Sequence, residues 1–564
     1  MLVLYVVPIN FFGVFMSDNR CNSPVAYFSA EYGLQADLPL YAGGLGVLSG
    51  DTVKEAADQN LEMSAIGLLY RGVKYIQGVD ANGWQTESDF PIDPIESGFE
   101  HVYAPDEDEQ PLFIKVNFSV KDIWCRVWKR TLNQTTLYLL DTDTDQNEPE
   151  DRAITHALYF GSEDVLIKQQ LILGIGGVKL LFALGIEPCI YHVNEGRPAF
   201  LYWELISQFM SKYNMEYKQA EEKAKAMIVY TNHTLVRAGN QSYNQDLLKK
   251  YSASYAEKMG ISVDELLKPG IDVGEGGKFS MTQFALNTSH KASAVSQPHY
   301  VLSKSLWPEY NWMGITNGVH MPTWQDPEIK AAKDDPEKLW GLHQNKKREL
   351  ETFVKEKTGF GYDPERLVIS WARRFAGYKR PNAIYDDLER LKNILSNQDR
   401  PVQFLMAGKA HALDDGAKKI LQDILKIMKD LNGHAIYIPN YNMEVAHALV
   451  SGSDVWLNTP LLGKEASGTS GMKAIANGVI QLTVEDGWAA EVDWHDIGWS
   501  LDGNHLVETL YFRLEEDVVP TFYHRENGLP LEWLEMMKNS IELAEKYSAK
   551  RMLNEYKQKM YNIT

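Results

Sequence analysis

The chain has 564 residues, 44% of them hydrophobic and 23% charged, a composition that fits a globular protein of about two to four domains with room for large cores. Its 76 acidic against 56 basic residues give a formal net charge of −20, which excludes nucleic acid as a partner unless a basic patch is segregated. The three cysteines, Cys21, Cys125 and Cys189, are odd in number and widely spaced. They form no metal pattern and no disulfide framework, as suits a reducing cytoplasm.

Met1 to Phe15 is apolar and holds no Lys or Arg. It lacks the positive start and small-residue cleavage site of a signal peptide, and it is short for a membrane span. Residues 1–15 therefore read as an extension ahead of a natural start at Met16; a buried N-terminal strand is the other reading. Pro24 to Ala30 reads as a buried strand followed by Glu31. The glycine-rich Leu38 to Gly46 then leads into a helix from Asp51, the strand–loop–helix form of an anion-binding turn. Ser64 to Ile76 and Thr136 to Leu140 read as further strands, and Pro105 to Glu109 as a solvated acidic loop. Ser162 to Leu184 suits a largely buried helix. Strands follow at Cys189–Val193, ending in Asn194-Glu-Gly-Arg197, and at Ala226–Tyr230, ending in Thr231-Asn-His-Thr234.

The highly charged helical stretch 326–358 marks a domain boundary, dividing 16–325 from 326–564. Beyond it strands at 367–370, 403–406, 435–438 and 455–457 alternate with helical patterns, which predicts a parallel, doubly wound sheet. The first half carries the same alternation with insertions. Two such domains would face each other across a cleft, with ligands at the carboxyl ends of the strands.

Two stretches of the second half carry chemistry. In Glu465-Ala-Ser-Gly-Thr-Ser-Gly-Met-Lys473, Gly468 and Gly471 let the backbone approach a ligand, and Ala474 to Gly478 reads as a short helix. Unpaired N–H groups at a helix start favour a phosphate, and Lys473 supplies an amine for a Schiff base with an aldehyde. A phosphate cradle beside a lysine is what pyridoxal phosphate requires. Trp371-Ala-Arg-Arg-Phe-Ala-Gly-Tyr-Lys-Arg380 places four cations at a strand's carboxyl end in an acidic protein. Arginine forks and a lysine in that position suit a second phosphate. A glycine-rich turn and a surface basic loop are the bland alternatives.

With these motifs the chain resembles the α-glucan (glycogen, starch and maltodextrin) phosphorylases of compact prokaryotic type. The stretch Glu465 to Lys473 resembles that family's pyridoxal phosphate signature, and Gly43-Gly-Leu-Gly46, Tyr230 to Thr234, Thr316-Asn-Gly318, Arg374 and Tyr378-Lys-Arg380 match in the family's order. The resemblance implies two Rossmann-like doubly wound domains facing a central cleft, the GT-B type of glycosyltransferase architecture. It implies a cytoplasmic homodimer that exchanges orthophosphate and an α-1,4-glucan for α-glucose 1-phosphate with retention, with no metal and no membrane or nucleic-acid partner. Lys473 would carry pyridoxal phosphate, whose 5′-phosphate shuttles a proton. Gly468 and Thr469 would hold that phosphate, with Arg373 and Lys379 near it, Gly44 donating a backbone N–H and Tyr441 lining the cofactor. Arg374 would grip the substrate phosphate and, with Lys473, Lys379, Arg373 and Tyr378, make up the catalytic set. Glu465, Ala466, Ser467, Asn317, Leu45, Tyr378, His290 and Glu31 would contact the sugar.

The chain departs from the family pattern at Arg197, where the family commonly has histidine, and at Ala42, where it has asparagine. Arg373 replaces a lysine and keeps its charge. Two other readings compete: a nucleotide-sugar glucan synthase, which would not need Lys473, and a catalytically weak glucan-binding homologue, which Arg197 keeps open.

Overall fold

The computed structural model describes residues 24–563 except 106, 235–239, 273 and 275. The reading of residues 1–15 lies outside the described residues.

Short runs rich in apolar residues form the strands, and the central parallel ones are buried on both faces. In the first half these are β1 (Val25–Phe28), β2 (Met63–Leu68), β3 (Asp122–Leu132), β4 (Thr135–Asp141), β5 (Ile190–Asn194), β6 (Ile228–Asn232), β7 (Lys291–Ala294) and β8 (Trp312–Gly314). They belong to a 10-stranded sheet in the order β8-β7-β6-β5-β1-β2-β4-β3, and every pairing from β8 to β4 is parallel. β3 runs antiparallel to β4 and carries two further antiparallel strands. Strand order reverses between β1 and β5, which opens a crevice at their carboxyl ends.

The second sheet has six strands: β9 (Leu367–Ala372), β10 (Val402–Ala407), β11 (Ala435–Ile438), β12 (Val455–Asn458), β13 (Ile480–Val484) and β14 (Gly498–Leu501). Its order is β11-β10-β9-β12-β13-β14, all parallel, with its own reversal between β9 and β12. The last two strands escape the sequence reading because polar residues and glycine interrupt their apolar runs. The acidic stretch read as a loop contains the short strand Glu107–Pro111, paired with Tyr103–Ala104. The stretch 64–76 divides into β2 and the start of a hairpin, Gly72–Val79 with Gln85–Pro91.

The helical run Glu163–Ala183 is long and apolar enough to cross a membrane, yet 72% of it is buried inside the protein. It is the core helix of the first sheet, capped by the Ser162 side chain. A Cβ on Gly174 would stand 2.5 Å from Leu201 N and 2.7 Å from Pro198 O. Only glycine lets this helix press against the turn that carries Arg197.

The chain does not end on the second sheet. The helix Ala549–Glu555 and the turn Tyr556–Tyr561 return to the first. There Tyr561 bonds His192 at 2.6 Å and Tyr556 bonds Thr231 at 3.3 Å. Cys125 is a buried free thiol.

Candidate active site

The carboxyl ends of the two sheets meet. Ser296, just beyond β7, donates to the carbonyl of Ala466 at 2.7 Å, and Met443 N donates to the Tyr41 hydroxyl at 3.2 Å.

Lys473 lies in the helix Thr469–Ile475, which begins and ends earlier than the predicted 474–478. Gly468 caps it at φ +89°, a left-handed conformation that favours glycine. The Lys473 amine is buried, 3.7 Å from the centroid of the Trp324 ring. Trp324 in turn donates to both oxygens of buried Asp51, at 3.1 and 2.9 Å. Burial depresses the amine to about 8, with the Asp51 charge opposing the fall. A lysine neutral near that pH is suited to imine formation.

Elsewhere at the carboxyl end of the same sheet, Arg373 follows β9 and is buried. Its Nη1 bonds Asn458 at the end of β12 and lies 3.9 Å from Glu465, while its Nε and Nη2 are buried with no hydrogen-bond partner. Unspent buried guanidinium donors are costly unless a ligand accepts them. Lys379 pairs with the same Glu465 oxygen. Burial alone would raise the Glu465 carboxyl, but Lys379 and Arg373 outweigh it and hold it below the usual range. Arg374 is exposed beside this group, where its charge acts on Glu465 and on His411. The Tyr441 phenol, pushed up by burial, is close enough to feel the Arg373 charge. The Tyr378 ring lies 4.9 Å from the Lys379 amine. Of the four cations in the basic loop, Arg380 is structural: it donates to the carbonyls of Thr459, Pro460 and Gly503.

The first sheet supplies the glycine loop and a buried polar floor. Gly44 opens the helix Gly44–Asp58 and is exposed with open space around it, while Leu45 is half-buried beside it. Glu31 is buried and accepts from Ala42 N at 2.7 Å, Gly43 N at 3.3 Å and the Tyr159 hydroxyl at 2.5 Å. The expected sugar contact thus holds the glycine loop in shape. Asn317 and Ser467 are buried with Oδ1 and Oγ unpartnered, which leaves each an atom for a ligand.

His290 is not brought to the cleft. It precedes β7 and its backbone pairs with Ile228 at the amino end of β6, opposite the site. The histidine at the carboxyl end is His233. It is half-buried and bonds Asn194 Oδ1 at 2.6 Å, while its backbone N–H donates to Glu195 at 3.0 Å. Burial lowers its imidazole to about 3, so it is neutral. Its motif was evident; only strand polarity distinguishes the two histidines. Glu195 was also missed. It is a non-glycine residue at φ +69°, strain that clusters at functional sites. Burial pushes its carboxyl up to about 7 against the bonds from His233, Gly196 and Tyr230 and the Arg197 charge. The Arg197 guanidinium stacks 4.1 Å from the Tyr159 ring centroid and acts on both Glu31 and Glu195. Asp486, after an unpredicted strand, accepts from Lys464 N, Glu465 N and Gly487 N at 3.0, 2.9 and 2.9 Å, fixing the signature loop.

The site therefore offers a buried amine on an indole face and, at the end of β9, a buried guanidinium with donors to spare. That donor set fits a phosphorylated aldehyde and a second anion.

A family model described as carbohydrate phosphorylase matches residues 327–498. Maltodextrin phosphorylase of Thermococcus litoralis is 36% identical over 96% of this chain and 71% of its own length. Glycogen phosphorylase of Aquifex aeolicus is 34% identical over 97% of this chain and 87% of its own length. An uncharacterized protein of Methanocaldococcus jannaschii is 30% identical over 95% of this chain and 99% of its own length.

Proposed function

The chain belongs to the carbohydrate phosphorylase family, and from that premise we propose that it catalyses reversible phosphorolysis of the terminal α-1,4-linked glucose of glycogen, starch or maltodextrin. Orthophosphate is the acceptor and α-glucose 1-phosphate the product, formed with retained configuration. The observation that carries this reading is the buried Lys473 amine of the signature helix, in a chain whose basic loop also holds buried, unspent donors on Arg373.

Lys473 would hold pyridoxal phosphate, with Gly468, Thr469, Arg373, Lys379, Tyr441 and Gly44 around it. When bound, its phosphate supplies a group that gives and takes a proton beside the substrate phosphate. The chain's own residues do the rest. Arg374, exposed toward the cleft mouth, binds the incoming phosphate. Arg373 and Lys379 offset the repulsion between two neighbouring phosphates, and Glu465 keeps both cations in place. Ser467, Ala466, Asn317 and Leu45 orient the glucosyl unit, and Tyr378 stands beside Lys379. Trp324 presses on the Lys473 amine and excludes water from it.

We read the two parallel sheets as Rossmann-like domains in a GT-B arrangement. The mirrored strand orders support this, as does the contact between carboxyl ends. The domain boundary falls near residue 326, and a cytoplasmic homodimer completes the reading.

The test is phosphate-dependent release of glucose 1-phosphate from maltodextrin, with borohydride reduction and peptide mapping of the purified protein. A pyridoxyl group on Lys473 and turnover by the natural chain are expected. An unlabelled Lys473 in protein supplied with the cofactor would remove the reading's support.

A further inference from the structure

The hairpin Gly72–Val79 with Gln85–Pro91 leaves the first sheet after β2 and lies against the second domain. Two of its side chains, Gln77 and Gln85, are buried there at 4% and 1% exposure. Gln85 pairs with both backbone groups of Ala410: its Oε1 accepts from Ala410 N at 2.9 Å and its Nε2 donates to Ala410 O at 3.0 Å. Gln77 makes the same reciprocal pairing with Asn440. Its Oε1 accepts from Asn440 N at 2.8 Å, and its own N–H donates to Asn440 Oδ1 at 3.1 Å. The Gln77 Nε2 also reaches Gly408 O at 3.2 Å, the Tyr437 hydroxyl at 2.9 Å and Gln85 Oε1 at 2.7 Å. Further out, Glu87 pairs with Lys418 at 2.9 Å and Asn82 O accepts from Gln422 at 3.0 Å.

What the hairpin grips is the back of the basic loop. Residues 407–410 follow β10 and lie directly under Arg373: Arg373 N donates to Ala407 O at 3.3 Å and Phe375 N to Lys409 O at 3.0 Å. A Cβ on Gly408 would stand 2.1 Å from Arg373 O, so the two strand ends are in backbone contact. Asn440 precedes Tyr441, the residue that feels the Arg373 charge. Both segments that shape the surroundings of Arg373 and Arg374 are therefore bonded to two glutamines more than 320 residues away in sequence. Amide side chains bonded reciprocally to backbone groups set position without adding charge.

We propose that Gln77 and Gln85 are positioning residues for phosphate recognition: the first domain's hairpin, docked through them, holds the Arg373–Arg374 loop in its binding geometry. This rests on the reading of that loop as the phosphate site. It makes phosphate affinity depend on a domain that supplies none of the loop's cations.

The experiment titrates inorganic phosphate into the cofactor-loaded protein and follows amide hydrogen exchange at residues 373–380 and 407–410. The natural chain is compared with Gln85→Leu and Gln77→Leu. Phosphate should protect the loop in the natural chain, and each variant should need about tenfold more phosphate for the same protection, the usual size of coupling between linked sites. In phosphorolysis, the phosphate KM should rise by that factor while the maltodextrin KM stays within about twofold. Loss of a merely structural contact would move the melting temperature or both KM values together. Identical phosphate dependence in variant and natural chain, or equal rises in both KM values, would overturn the proposal. Absence of turnover in the natural chain would count against phosphorolysis, while the exchange titration still decides the role of the glutamines.

Discussion

In the proposed chemistry Lys473 is the central residue, and its burial depresses its amine. Its folded-state amine is depressed to about 8, so the neutral form that attacks an aldehyde grows as pH rises through that value. Borohydride trapping of pyridoxal phosphate on cofactor-stripped protein should therefore rise between pH 7 and 9 with a midpoint near 8, and Lys473→Ala should abolish both trapping and phosphorolysis. Arg374→Ala should raise the phosphate KM by about 10- to 100-fold, the size of a lost charge-assisted hydrogen bond. Equal losses for phosphate and glucan would make Arg374 structural. Arg197 is the departure with the clearest consequence. Its charge pulls down two carboxyls that burial pushes up, Glu31 and Glu195. In Arg197→Gln both carboxyls ionise only at higher pH, so the acid limb of the pH–rate profile should move upward, and an unmoved limb would show that Arg197 does not act through them. These residues were legible in sequence to different degrees. Lys473, Arg373 and Lys379 stand in motifs, whereas Glu195 and His233 are marked by backbone strain and strand polarity, which no local pattern carries.

At the scale of elements, the candidate site residues cluster where several strands end, and buried polar groups lie between strands. Beneath β9 and β12, Asp454 accepts from Lys347 at 2.7 Å, His343 at 2.7 Å and Val368 N at 2.7 Å, all without exposure to solvent. Lys347 sits in the helix Pro336–Thr358, within the highly charged stretch. Burial lowers Lys347, yet its charge and His343 keep Asp454 ionised. Lys347→Met should cost about 3–5 kcal/mol in urea unfolding, because it leaves a buried carboxylate without its cation. A loss below about 1 kcal/mol would mean water replaces the amine. The helix itself was readable as the charged helical stretch 326–358. The inward turn of one lysine was not, because it depends on what packs above it.

Across the whole molecule, the two sheets are tied at several places, among them the signature loop to Ser296, the hairpin to the residues after β10, and the returning C-terminal segment to the first sheet. The last tie places Tyr561 against His192, whose imidazole burial lowers to about 3. Tyr561→Phe leaves that ring nitrogen unpaired and should cost about 1–3 kcal/mol, measured as a lowered unfolding midpoint. Because His192 lies in β5, one strand from the glycine loop, the change should also loosen the first domain although Tyr561 is nearly 100 residues beyond the Lys473 motif.

By itself the sequence determined the alternation of strands and helices, the two halves, and the motifs with their lysine and arginines. Each of these is written in contiguous residues, whose periodicity and small side chains act locally. The tertiary structure alone decided which ends of the strands meet, and with that it removed His290 from the site and brought in His233. It alone decided that Glu31 holds the glycine loop, that Asp486 anchors the signature, and that two hairpin glutamines bond the segments at residues 408–410 and 440. Those outcomes rest on burial and on hydrogen bonds between residues tens to hundreds of positions apart, and neither exists until the chain is folded.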